Sequence, residues 1–188
     1  VNFAVNRAAL AREAGFSAEI PTDQYLLPGS PGHRDVRIYP LKGPNLKKAR
    51  ALARGHTRGG KAVLYTSAQT VDVSQAQILQ KNLKAIGLEL EIEVVPDLFG
   101  KLRTPGEPFD LGRVRWFGGA DPSVLPFWFD GRTIGQPDFG NLSYFNSPKY
   151  NRLLDEASRL IGDERYRAFS ELDVQLSRDA APAIPYAY

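Results

Sequence analysis

The chain has 188 residues, with 24 Lys and Arg against 21 Asp and Glu, and a net charge of +3 at pH 7. Apolar residues make up 43% and charged residues 24%, a water-soluble globular balance that excludes wholesale disorder, a collagen-like chain and a coiled coil. The absence of Cys removes disulfides, thiolate zinc sites, iron–sulfur clusters and Cys nucleophiles together, and no apolar run approaches the roughly 18–20 residues of a membrane span.

Asn2–Ala14 reads as a short helix, because Phe3, Ala4, Leu10, Ala11 and Ala14 recur at helical spacing and Gly15 is a good stop. Residues 20–44 are dense in proline and glycine, with Tyr25, Leu26, Leu27, Ile38 and Tyr39 among them. That pattern is a long connection lying on the fold. Asn45 is placed to cap a helix running through Ala53. Lys61–Ser67 is a strand, and a helix follows from about Asp72 to Ile86 with Ala76, Leu79, Leu83 and Ile86 on one face. Asp72 with Gln75 resembles a capping box at its start. After Gly87, Leu88–Val95 alternates, with Leu88, Leu90, Ile92 and Val94 inward and Glu89, Glu91 and Glu93 outward. This β–α–β unit implies a parallel sheet with a right-handed crossover.

Asp97–Arg103 reads as a short helix, Phe109–Trp116 as another strand, and Pro122–Phe129 as an aromatic-rich turn or short helix. Ser147 caps a strong helix with Pro148 at its first position. Its stripe is Tyr150, Leu153, Leu154, Ala157, Leu160 and Ile161, closed by Gly162. Asp163 opens the next helix, with Tyr166, Phe169, Leu172, Leu176 and Ala180 on one face, and Ala183–Tyr188 is a final extended segment. The fold class is α/β with one open sheet.

Several constellations carry little chemistry. The run Gly55–Ala62 superficially resembles a phosphate loop, but Ala62 stands where the magnesium-binding hydroxyl belongs and the run precedes a strand instead of opening a helix. A basic surface turn is the better reading. His33 and His56 lie in loops without a second ligand at metal-binding spacing. There is no Gly-x-Ser-x-Gly elbow. The two signs of charge are mixed along the chain, unlike the basic face of a nucleic-acid module.

The stretch Arg103–Pro122 is richer. It gathers Arg103, Phe109, Asp110, Arg113, Arg115, Trp116, Phe117 and Asp121 near the end of a strand, where open α/β sheets bind ligands. Arg offers a bidentate fork for a carboxylate, and Trp a wide apolar wall with one donor. From spacing alone, Trp116, Phe117, Phe127, Trp128 and Phe129 serve equally well as core or as ligand wall. Strand alternation puts Arg113 and Arg115 on one face and Val114 and Trp116 on the other. Arg113 and Trp116 then share a wall only through a bulge or turn.

The order of features resembles the family 5 extracellular solute-binding proteins of ABC importers, the oligopeptide- and dipeptide-binding group. The segments that carry it are Val1–Leu10, Gln77–Ile92, Phe109-Asp110 with Trp116 and Asp121-Pro122, Asn141–Pro148 with Leu153–Ala157, and Ala181–Tyr186. The resemblance implies a class II periplasmic-binding-protein-like lobe, an open mixed sheet flanked by helices. It also implies that the 188 residues are the single C-terminal ligand-binding lobe of a larger two-lobed protein, a processed or excised piece. The absence of Met agrees with that.

The implied function is capture of a peptide or related small solute outside the cytoplasm and delivery to a membrane permease. It is not an enzyme; an enzyme using Asp110, Asp121 and Asp138 is the weaker reading. The implied partners are that ligand, the N-terminal lobe and an ABC permease, with no nucleic acid, cofactor or metal. The location is periplasmic or cell-surface, with a lipid anchor in the full-length protein. The alternative is the solute-sensing domain of a transcription regulator. By resemblance, Arg113 and Arg103 match arginines of the oligopeptide-binding relatives, the first being the one that meets the peptide carboxylate. Trp116 and Phe117 match wall positions. Asp121 belongs to the family's Asp–Pro, and Asn141 completes the candidate set. Gly119 replaces the Asp that holds the ligand's free amine, so the ligand either uses Asp121 or carries no amine.

Overall fold

Asparagine side chains cap the first two helices in the computed structural model, which describes residues 1–14, 20–116, 120–138 and 140–188, with Arg58 by its backbone alone. Asn6 accepts the Ala9 N–H at 3.0 Å and starts α1 (Arg7–Glu13). This is shorter than the predicted Asn2–Ala14, because residues 2–4 form a separate turn closed by Ala4 N–H to Val1 O. The predicted stop, Gly15, lies outside the described residues. Asn45 starts α2 (Leu46–Ala53) as expected. Arg58–Gly60, within the phosphate-loop-like run, is one 3-10 turn leading to Lys61.

The chain divides into two compact units. Unit 1 comprises Val1–Asp23, Tyr39–Arg115 and Tyr186–Tyr188. Its centre is a sheet of β1 (Lys61–Thr66), β2 (Glu89–Val94) and β3 (Leu111–Gly112), in the order β2-β1-β3. Both pairings are parallel, with Lys61 opposite Glu89 and Leu64 opposite Leu111. α3 (Thr70–Lys84) bridges β1 and β2 and buries Ala76, Leu79 and Leu83. The α/β class and the β–α–β unit therefore hold. The one antiparallel pairing among the described residues is an isolated bridge, Pro21 with Ala187, outside the ladder. On β2 the predicted alternation fails at its end: Leu90 is buried but Val94 is 49% exposed, as an edge strand allows. β3 is far shorter than Phe109–Trp116. The ladder is lengthened only by Asp110 N–H to Val63 O and Arg113 N–H to Tyr65 O. α4 (Leu98–Arg103), capped by Asp97, precedes it.

Unit 2 comprises Gln24–Ile38 and Trp116–Pro185. It packs α5 (Val124–Phe129), α6 (Pro148–Arg159) and α7 (Gly162–Gln175), the last continuing as a π-turn over Leu176–Ala180. Its core joins Tyr25 and Leu26 to Leu125, Phe129, Tyr150, Leu154, Ala157, Phe169, Leu172 and Leu176. The long connection thus lies on the fold and fills its core. Ser147 makes no side-chain cap, and α6 starts on Pro148 instead. The predicted stripe runs out early, with Ile161 85% exposed between the helices.

One buried carboxylate anchors that connection. Asp173 on α7 is 1% exposed. It accepts Gln24 Nε2 at 2.9 Å, Tyr25 N–H at 2.9 Å and Leu26 N–H at 3.3 Å. Gln24 cannot reverse its amide, because its Oε1 accepts the Val36 N–H at 3.0 Å. Burial raises the Asp173 carboxyl above the ordinary carboxylate value despite these donors. The folded state therefore holds its proton more tightly than the unfolded chain. The linked stability is full below the ordinary value and is lost as pH rises through the raised one. Asp173→Asn sets two NH2 groups against each other and costs about 1–3 kcal/mol at neutral pH. Urea denaturation checks this, and the gap between wild type and variant widens as pH falls through the carboxylate range.

Candidate functional site

Parallel strands send their carboxyl ends to one edge, the edge at which open α/β sheets take ligands. In unit 1 the chain's own charges fill it. β1 ends at Thr66, and the next residue, Ser67, donates its hydroxyl to Asp72 at 2.6 Å. Asp72 is ion-paired with Arg113, the side chains being 8% and 1% exposed. Arg113 also donates to Gln75 Oε1. The same oxygen accepts the Tyr186 hydroxyl at 3.0 Å, and Gln75 Nε2 donates to the Leu10 carbonyl at 2.8 Å. Asp72 and Gln75 are thus no capping box: α3 has Gln69 at its N-cap position and no side-chain cap. They share one helix face because they are three residues apart, and they turn it inward.

Arg113 is consequently buried and compensated. The ladder stops at Gly112, so the strand alternation expected through Trp116 does not apply. Arg103, also in unit 1, is half-buried at the end of α4, its guanidinium 5.7 Å from the centre of the Phe99 ring. Among the described residues no carboxylate pairs with it, and its Nε has no hydrogen-bond partner.

In unit 2, Trp116 is half-buried in a run of rings. Its ring centre lies 5.5 Å from that of Phe127 and 6.3 Å from that of Trp128, edge-on to the latter. Gly140 closes against this pair: a Cβ there would come within 2.6 Å of both Trp116 and Phe127, so only glycine fits. Asn141 is buried beside it. Its Nδ2 donates to the carbonyls of Asp130 at 2.9 Å and Phe145 at 3.0 Å, and its Oδ1 accepts from Ser143 at 3.1 Å. Asp121 is exposed but engaged. Arg165 grips both its oxygens at 2.7 and 3.1 Å, and the Ser123 N–H donates to it at 2.8 Å. The Arg165 hydrogen bonds hold its carboxyl well below the usual carboxylate range. Phe117 and Gly119 lie outside the described residues. The structure therefore sets Arg103 and Arg113 in unit 1 and Trp116, Asp121 and Asn141 in unit 2. The partners that occupy them, Asp72, Gln75 and Arg165, escaped the sequence reading. Arg165 lies 44 residues from Asp121, so no local spacing links them.

Among the described residues there is no group of three or more His, Asp or Glu arranged to hold a metal ion. No helix there is long and apolar enough to cross a membrane. Residues 1–136 match the family model described as bacterial extracellular solute-binding proteins, family 5, middle. The chain belongs to that family. No curated protein sequence matches it. Its fold is that of solved solute-binding proteins. One is DppA from Helicobacter pylori, an ABC transporter-associated periplasmic binding protein in complex with the peptide STSA: TM-score 0.81, 22% identity, all of this chain and 37% of that one. Another is the oligopeptide-binding protein AppA from Bacillus subtilis with a nonapeptide: TM-score 0.80, 18% identity, all of this chain and 40% of that one. A third is AgaA from A. tumefaciens R10 with agropinic acid: TM-score 0.81, 20% identity, all of this chain and 39% of that one. The chain thus spans about two-fifths of the length of these neighbours. Both family and neighbours are binding proteins, as the resemblance implied.

The compensated pair makes a direct prediction. Arg113→Met leaves Asp72 buried without its cation and costs about 3–5 kcal/mol. Adding Asp72→Leu removes the orphaned charge and recovers most of that loss. Urea denaturation of the single and double variants reads the difference.

Proposed function

We propose that this chain is the C-terminal ligand-binding lobe of a two-lobed solute receptor that serves an ABC importer. The receptor takes a peptide or a related small organic solute outside the cytoplasm and presents it to a membrane permease. It makes and breaks no bond. The observation that carries the reading is the full-length superposition of this chain on about two-fifths of peptide-bound DppA, joined to the family match over residues 1–136. A lipid anchor on the full-length receptor fits the same role.

The candidate contacts sort by what each side chain is already doing. Trp116, backed by Phe127 and kept close by Gly140, is a preorganised apolar wall, with Phe117 next in sequence. Arg103, half-buried and without a carboxylate among the described residues, is the cation suited to a ligand carboxylate. Arg113 is ion-paired with Asp72 and donates to Gln75, and Asn141 donates to two carbonyls and accepts from Ser143, so we assign both to holding the fold beneath the contacts. Asp121 is neutralised by Arg165 and meets a ligand amine only if that amine displaces the guanidinium. A ligand without a free amine, or one whose amine is held by the other lobe, fits this arrangement best.

Capture works by closure. Contacts to both lobes favour the closed form, which the permease reads. Half the contacts still meet most of the association entropy cost. Isothermal calorimetry on this chain alone should therefore show binding no tighter than about millimolar; micromolar binding overturns the lobe reading. In the full-length receptor, Trp116→Ala should weaken binding by about tenfold or more, as loss of a buried aromatic anchor does. The identity of the solute is read by denaturing receptor purified without added ligand and analysing the released molecules by mass spectrometry. Recovery of no solute, with none bound on screening, overturns the function.

A further inference from the structure

The wall at Trp116 takes its position from a residue without a side chain. Gly140 is buried. A Cβ on it would lie 2.6 Å from Cζ2 and 2.8 Å from Cη2 of Trp116, and 2.6 Å from Cε1 of Phe127. The Gly140 backbone is held and cannot draw back from these rings. Its N–H donates to the Phe127 carbonyl at 3.3 Å, and its carbonyl accepts the Leu142 N–H at 2.8 Å. The next residue, Asn141, is 4% exposed and donates to the Asp130 and Phe145 carbonyls. Phe127 is carried by α5. Trp116 belongs to no helix or strand and is half-buried, so its ring is the part that yields. Carbon atoms in ordinary contact lie about 3.5–4.0 Å apart. A methyl group on residue 140 would therefore drive the Trp116 ring away from it by about 1 Å.

We propose that Gly140 is a specificity-determining residue: by leaving the Trp116 ring seated back against Phe127, it sets how bulky an apolar side chain a bound peptide can lay on that ring. The inference rests on the proposed function, in which Trp116 is a solute contact. It adds a substrate class, a peptide with a large apolar side chain, aromatic or branched, at one position. Burying such a side chain contributes about tenfold or more in binding over alanine. The ring presents a flat apolar face with no charge to match, so the preference is graded by size and not by identity. A wall displaced by about 1 Å admits a small side chain with little loss and overpacks a large one.

The experiment uses the full-length receptor and calorimetry with five synthetic tetrapeptides: tetra-alanine, and the four that carry a single Phe at successive positions. Wild type should bind at least one Phe peptide about tenfold or more tighter than tetra-alanine. Gly140→Ala should bring that ratio to about one or below. A merely structural loss would weaken all five peptides alike and leave the ratio where it was. Phe127→Leu added to Gly140→Ala vacates room behind the Trp116 ring and should restore part of the preference. A wild type that binds no Phe peptide more tightly than tetra-alanine overturns the proposal whether or not the variant folds. So does a folded Gly140→Ala receptor that keeps the full ratio. Binding of none of the five overturns it too; the receptor reading then stands if a non-peptide solute is recovered from the receptor, and falls if none is.

Discussion

A guanidinium taken out of water costs several kcal/mol unless charge and hydrogen bonds replace the water it loses. Unit 1 is organised around one such group. Arg113 follows the last ladder residue of β3, and the bonds that compensate it reach back through α3 to the rest of the unit. Asp72 ties it to the loop after β1 through Ser67. Gln75 ties it to α1 through the Leu10 carbonyl and to the C-terminal segment through Tyr186. The requirement to satisfy one buried cation therefore fixes four stretches of chain that are far apart in sequence. A second buried arginine works alike: Arg7 donates to the Thr22 carbonyl and to Asn2, and lies over the Tyr39 ring.

These anchors fall where the chain enters and leaves unit 1. Its boundaries are at residues 23, 39, 115 and 186. Asp23 accepts the Tyr39 N–H at 2.6 Å, clipping two of them together. Gln75 gathers Arg113 and Tyr186, near the other two. Unit 2 treats its own connection similarly, with Asp173 on Gln24, Tyr25 and Leu26, and the Tyr25 hydroxyl donating to the Ala183 carbonyl at 2.9 Å. Buried polar networks of this kind add little net stability compared with well-packed apolar residues. Their effect is on geometry: each partner leaves the others one low-energy arrangement.

The repeating local signals were legible in the sequence. Apolar spacing places α1 and α3, an asparagine cap places α2, and the β1–α3–β2 unit follows from alternation bounded by glycine. The ends of elements were less so, since Phe109–Trp116 alternates like a strand but has a ladder partner only at Leu111 and Gly112. The candidate site was least legible. Arg113 and Asp121 stand out by their chemistry, yet what a charged side chain does depends on which opposite charge reaches it. Those partners, Asp72 and Arg165, stand 41 and 44 residues away, and spacing carries no information over that distance. Asp72 even suggests a local role, because a carboxylate three residues before a glutamine at a helix start has a common use as a capping box.

The pairing of charges also bears on the proposed solute recognition. A ligand carboxylate arriving at a guanidinium that already holds a carboxylate must displace it, and the net gain is the difference between two similar interactions. Under the proposed function Arg113 is in that position toward a carboxylate, and Asp121, held by Arg165, toward an amine, so neither would contribute much selectivity for a free charge. On the same proposal the aromatic side chains around Trp116 in unit 2 would contribute area and not charge, and Arg103 in unit 1 a cation without a carboxylate among the described residues. A solute held mainly by apolar area and backbone contacts is tolerated across many side-chain identities. Two solved neighbours of the same fold hold molecules as different as a nonapeptide and agropinic acid.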